Sequence, residues 1–166
     1  MKTQELRIGY NKLNEGLCYI LGVLKGDGSI GVGSIELGVK DKDFATEFKK
    51  RLEVWSGLNV KFKKNISETP PEYCVLLHSI RAVQFFTNFD LTLIKQVNNN
   101  CKTMFLKGMY DSEGSVSYGS ISFSNCNKAV INLISYLLHS LNIEHRLNIH
   151  MKAGTITNFG VYKNDL

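Results

Sequence analysis

Two acidic residues recur in matching strings of this chain. Asp27 is the eighth residue of Ile20-Leu-Gly-Val-Leu-Lys-Gly-Asp-Gly28, and Glu113 is the eighth of Leu106-Lys-Gly-Met-Tyr-Asp-Ser-Glu-Gly114. Small residues stand four apart in each string, Gly22 and Gly26 in the first and Gly108 and Ser112 in the second, which sets them on one helix face. Helices with such faces can approach backbone to backbone, and packing the two together would bring Asp27 and Glu113 close. Crowded carboxylates repel unless a cation neutralises them, and hard oxygen ligands of this kind suit Mg²⁺ or Ca²⁺. Either string alone also reads as a turn or a helix C-cap. Turn chemistry, however, has no need to return an acid to the same slot twice.

The repeat extends beyond the strings. At the offset that carries Asp27 onto Glu113, Ser29 meets Ser115, Ile30 meets Val116, Ser34-Ile35 meets Ser120-Ile121, Leu37 meets Phe123, and Phe44 and Phe48 meet Val130 and Ile134. After a short deletion, Leu58-Asn-Val60 meets Leu141-Asn-Ile143. Such self-similarity decides the architecture before any single element does. The first copy reads as a motif helix capped by Asn14 and stopped at Gly26-Asp27-Gly28, then strands within Ser29–Lys40, where Ile35, Leu37 and Val39 alternate with polar or small residues. A helix capped by Asp41 or Asp43 follows, with Phe44, Phe48, Leu52 and Trp55 on one stripe and Gly57 at its end. Strands Val60–Ile66 and Tyr73–His78 flank Pro70-Pro71, and a helix over Ile80–Phe89 closes the unit. The second copy predicts a helix Cys101–Tyr110, strands within Ser115–Asn125, a helix Lys128–Leu141, and strands His145–Lys152 and Thr155–Tyr162. The expected organisation is an α+β chain of two pseudo-symmetric halves, 1–95 and 101–166, joined by a polar connector at 96–100.

Composition narrows the classes. The chain has 166 residues, of which 43% are hydrophobic and 21% charged; this suits a globular protein with a real core and excludes a fibre or a disordered tail. No apolar run approaches a membrane span, and the polar start is unlike a secretory signal, so the expected setting is soluble and intracellular, in cytoplasm or an organelle. A net charge of +5 tolerates a polyanionic partner. Cys18, Cys74, Cys101 and Cys126 form no CxxC pair, and His78, His139, His145 and His150 are scattered; reduced thiols and ordinary histidines are the expectation, with no zinc site.

The two strings resemble the motifs of the LAGLIDADG homing endonucleases, specifically the single-chain, two-motif kind found with mobile introns. The resemblance covers nearly the whole chain through the order of helix, strands, helix, strands. It implies two αββαββ(α) half-domains with the motif helices at their interface and two antiparallel sheets forming a saddle over DNA. It further implies that Asp27 and Glu113 hold Mg²⁺, with the backbone carbonyls of Gly26 and Ser112 as additional ligands and Ca²⁺ as a non-cleaving substitute. The implied reaction is a double-strand break across the minor groove, leaving short 3′ overhangs and 5′-phosphates, each acid serving one strand. The family places a basic residue and an amide near each acid; Lys40 is the candidate for the first role and Asn125 for the second, while Asn125's repeat mate, Val39, is apolar. Equal cutting of both strands is therefore not expected as a matter of course.

Base reading falls to the strands. Arg146, Asn148, His150 and Lys152 alternate with Leu147, Ile149 and Met151, and Lys61, Lys63 and Asn65 show the same pattern in the first half. A two-stranded ribbon fits the major groove, where Arg reads guanine, Asn reads adenine and Lys meets phosphate. Ser34, Glu36, Ser120, Ser122 and Ser124 would add smaller polar contacts. The expected protein is a monomeric, Mg²⁺-dependent endonuclease acting on a long, pseudo-palindromic or asymmetric double-stranded DNA target. An RNA maturase or a non-catalytic DNA-binding regulator would share the fold without needing both acids.

Overall fold

The computed structural model describes residues 13–148, 156–157 and 160–161. The chain divides into two compact units, with the boundary between Ser112 and Glu113.

The first unit opens with helix α1 (Glu15–Lys25), whose N-cap Asn14 accepts from the Leu17 amide at 2.9 Å. Every residue from Leu17 to Leu24 is buried, the mark of a helix enclosed on all sides. Strands β1 (Ser29–Ile30) and β2 (Ser34–Val39) form a hairpin. Helix α2 (Lys42–Ser56) is capped by Asp41, which accepts from the Asp43 and Phe44 amides, and it ends at Gly57 in the left-handed region, φ 66°. Phe44, Phe48 and Leu52 are buried as the stripe predicts, whereas Trp55 is half-buried and packs against Phe85 and Phe86. Strands β3 (Lys61–Asn65) and β4 (Glu72–His78) complete an antiparallel sheet in the order β1-β2-β4-β3. Helix α3 (Ile80–Thr87) and a 3-10 turn (Leu91–Gln96) lead into helix α4 (Asn99–Glu113).

Helices α1 and α4 meet backbone to backbone. A Cβ on Gly22 would fall on the Phe105 carbonyl oxygen, and one on Gly108 would fall on that of Tyr19. Of the four small residues singled out by spacing, Gly22 and Gly108 make this contact. Glu15 accepts from the Asn100 amide at 3.2 Å at the start of the pair, and the Cys18 thiol lies beside Cys101, its pKa pushed up chiefly by burial.

The second unit contains strands β5 (Gly114–Ser117) and β6 (Ser120–Phe123), helix α5 (Lys128–Ser140), and a short hairpin of β7 (Ile156–Thr157) and β8 (Gly160–Val161). Asn127 caps α5, its side chain accepting from the Ala129 and Val130 amides. The pairing register repeats the sequence offset: Ser29 faces Glu36 and Ile30 faces Ile35 in the first hairpin, while Ser115 faces Ser122 and Val116 faces Ile121 in the second. Burial does not repeat, because Ile35 is covered by α2 and α3 whereas Ile121 is exposed.

Two boundaries differ from expectation. Helix α4 starts at Asn99 rather than Cys101, since the Asn98 side chain accepts from the Cys101 amide, and it continues past Tyr110 to Glu113. Residues 143–148 form no strand, and Ile143 and Leu147 are exposed. Alternation makes a strand possible, but hydrogen bonding to a neighbour makes it form, and among the described residues none pairs with this segment.

Candidate metal centre and nucleic-acid face

Asp27 stands in the tight turn between α1 and β1. The amides of Gly26 and Gly28 both donate to the Val23 carbonyl, at 3.1 and 3.0 Å, which folds the chain back on the helix end. The turn needs glycine at 28, because a Cβ there would lie 2.9–3.0 Å from Leu24 atoms and the Val23 carbonyl. The Asp27 carboxyl reaches solvent yet is partly desolvated, which raises its pKa above the usual aspartate value. It accepts no hydrogen bond among the described residues. A helix C-terminus presents carbonyl oxygens and partial negative charge, although among the described residues no three His, Cys, Asp or Glu side chains gather into one cluster, so any ligands beside the Asp27 carboxylate would be backbone carbonyls. That donor set fits a hard divalent cation.

Glu113 has a different setting. Gly26 ends α1 before its acid, whereas Ser112 keeps α4 helical, its hydroxyl donating to the Gly108 carbonyl at 3.0 Å. Glu113 is half-buried, and the Asn125 side-chain amide approaches its carboxylate at 3.5 Å. The Asn125 oxygen is taken by the Asn127 amide at 2.8 Å, so the amide NH₂ is the end left to face the acid. The structure thus brings together Asn125 and Glu113, the pairing that the family resemblance implies. Lys40 is exposed just beyond β2 and makes no ion pair with Asp27.

The sheet of the first unit has one covered and one open face. Ile35, Leu37, Val75 and Leu77 are buried, so period-two alternation puts Ser34, Glu36, Lys61, Lys63 and Asn65 together on the opposite face. Register places Lys61 opposite Leu76, Lys63 opposite Cys74 and Asn65 opposite Glu72. Neither Lys61 nor Lys63 forms an ion pair among the described residues. Sequence reasoning missed Glu72, Cys74 and His78 on this face, although β4 carries the same alternation. Ser34 bonds Glu36, and the Glu72 carboxylate lies over Gly38.

In the second unit Ser120 and Ser122 lie on one hairpin face with Ser115 and Ser117, and the hydroxyls of Ser115 and Ser122 are 2.8 Å apart. Ser124 lies past the end of β6, which stops at Phe123, so it is not a strand residue as predicted. Arg146 and Asn148 are exposed and on no strand, contrary to expectation for the described part of that segment; His150 and Lys152 lie outside the described residues. A separate cleft of about 670 Å³ is lined by His139, Asn142, Ile143, Glu144, His145 and Arg146. There the His145 ring is fixed between the Ser135 hydroxyl at 2.7 Å and the Ile143 carbonyl at 3.0 Å. Among the described residues no helix is long and apolar enough to cross a membrane.

Comparisons with known proteins agree on the fold. Residues 100–161 match the LAGLIDADG-like domain. An uncharacterized protein of Methanocaldococcus jannaschii is 36% identical over 80% of this chain and 56% of its own length. The homing endonuclease I-DmoI of Desulfurococcus mucosus is 28% identical over 55% of this chain and 47% of its own. The chain thus spans about half the length of the curated relatives it matches. The crystal structure of I-DmoI in complex with DNA and Mn superposes with a TM-score of 0.64 at 19% identity, covering 84% of this chain and 85% of that one.

Proposed function

We propose that this chain, whose residues 100–161 match the LAGLIDADG-like domain, is a member of that family with the activity of a divalent-metal-dependent, sequence-specific DNA endonuclease. The observation that carries this reading is the pair of acids, each placed at the end of a motif helix and at the start of a hairpin of identical register. The solved structure of I-DmoI in complex with DNA and Mn supports a DNA partner and the use of a divalent ion.

In this reading Asp27 and Glu113 are the metal ligands, with the carbonyls of Gly26 and Ser112 beside them. Bound Mg²⁺ supplies a nucleophilic water and offsets charge on the phosphate. Asn125 holds the Glu113 carboxylate in one orientation by donating from its amide, and Lys40 lends positive charge on the Asp27 side. The open sheet face bearing Lys61, Lys63, Asn65, Ser34 and Glu36 meets the duplex, and the serine face of the second hairpin contributes further polar contacts. Lysines on such a face neutralise phosphates and set register along the duplex, while Asn65 and the hydroxyls reach base edges.

The test is cleavage of a DNA library with Mg²⁺ by the wild type and by Asp27→Asn and Glu113→Gln, with binding followed in Ca²⁺. Double-strand cutting at one long site, lost in both variants while Ca²⁺-supported binding persists, is the expected result. Binding without cutting by the wild type would replace the nuclease with a non-catalytic DNA-binding or maturase role.

A further inference from the structure

The two acids sit on helices that are held differently. Tyr19 of α1 is fully buried, and its hydroxyl donates to Asp111 of α4 at 2.7 Å. Asp111 also receives the Lys107 ammonium from one turn earlier on α4. Two cations approach the Tyr19 ring, the Arg51 guanidinium at 4.6 Å and the Lys107 ammonium at 5.1 Å from its centroid. Arg51 is in turn paired with Glu47 at 2.6 Å. Burial, reinforced by Asp111, pushes the Tyr19 phenol up, so it remains a donor across the working pH range.

This cluster lies at one end of α4. Gly108 fixes the helix against the Tyr19 and Val23 backbone, Asp111 fixes the next turn, and Glu113 is the residue on which the helix ends. At the repeat offset none of it recurs: Phe105 stands for Tyr19, Lys25 for Asp111 and Leu21 for Lys107. Phe105 is as buried as Tyr19 but has no hydroxyl.

We infer that Tyr19 is a positioning residue for Glu113, holding the last turn of α4 through Asp111, by a tyrosine–aspartate bond that the motif of Asp27 does not repeat. The inference rests on the endonuclease reading for its functional consequence but not for its structural one. Tyr19→Phe removes one oxygen from a packed core and leaves Asp111 paired with Lys107, so the fold is retained.

The experiment follows each DNA strand separately in Mg²⁺, taking as the Glu113 strand the one whose cutting falls further in Glu113→Gln. Tyr19→Phe is expected to slow that strand about threefold to tenfold relative to the other, the size of one lost hydrogen bond. Asp111→Asn, which still accepts from the phenol, keeps the wild-type strand ratio, and Asp111→Ala shifts it as Tyr19→Phe does. Equal slowing of both strands, or an unchanged ratio, overturns the inference. Amide hydrogen exchange of the metal-free protein is the second arm: Tyr19→Phe speeds exchange at residues 110–113 and not in the turn at 26–28. If the wild type cuts no DNA, the endonuclease reading fails by itself, and unchanged exchange at 110–113 would separately overturn the positioning role.

Discussion

Gly22→Ala tests the helix contact on which both acids depend. The added Cβ would fall on the Phe105 carbonyl oxygen and lie 2.9 Å from the Met109 amide nitrogen. These are backbone atoms inside a helix, so no side chain can swing away, and the two helices must separate. Overpacking of a tight core costs roughly 1–3 kcal/mol, and the upper end applies where backbone opposes backbone. Alanine recovers about 1 kcal/mol of helix propensity over glycine, leaving a net loss of about 2 kcal/mol. For a chain of this size that lowers Tm by roughly 4–8 °C. Gly16→Ala on the same helix is the control, because its Cβ would meet only Asn14 Oδ1 at an ordinary 3.4 Å and propensity alone should hold or raise Tm. Melting followed by circular dichroism reads both variants. A Gly22→Ala protein as stable as Gly16→Ala would refute the close contact and, with it, the reason for glycine at this place in each motif.

Three further outcomes are expected. The raised pKa of Asp27 means the folded state favours the protonated acid, so the stability linked to this group is full below the ordinary aspartate range and is lost as pH rises through the folded-state value; in EDTA, Asp27→Asn should therefore melt above wild type at pH 7, with the gap closing toward pH 3 and also on adding Ca²⁺, and equal melting at all pH values would show that Asp27 is not desolvated. Lys61→Ala and Lys63→Ala should each weaken DNA binding and reduce the slope of log K against log salt by about 0.9 for each phosphate no longer neutralised, measured by fluorescence anisotropy in Ca²⁺; an unchanged slope would take the open sheet face out of the interface. Asn125→Ala should slow the strand served by Glu113 and leave the other unchanged in strand-resolved cleavage, since the amide approaches the Glu113 carboxylate; parallel slowing of both strands would deny it that local role.

The parts of this protein legible from sequence are those fixed by local chemistry or by repetition. Asn14, Asp41 and Gly57 mark helix ends because a cap is a bond to the next few amides or a single left-handed residue. The hairpin registers follow the repeat offset because cross-strand pairing is set by turn length and alternation, both of which the duplication copies. Residues 143–148 show the limit of that logic: polar and apolar residues alternate there as in β3, yet Lys61–Asn65 has β4 to bond with and 143–148 has no paired neighbour among the described residues. Tyr19 was illegible for a different reason. It sits within an unbroken buried run, where a tyrosine reads as core, and only the fold shows that its hydroxyl meets an acid 92 residues away.

These differences fall on the two acids unequally. Glycine at 26 releases Asp27 into a turn with no donor to its carboxylate among the described residues, while serine at 112 keeps Glu113 helical, beside Asn125 and two residues along α4 from Asp111. A ligand without partners must be organised by the cation it binds, whereas one held by neighbours is organised beforehand, which lowers the cost of binding and orientation. Metal titration of strand-resolved cleavage should therefore saturate at lower Mg²⁺ for the Glu113 strand than for the Asp27 strand. Coincident titrations would mean that the supports around Glu113 contribute nothing to metal capture, and that the duplicated motifs behave alike despite their different surroundings.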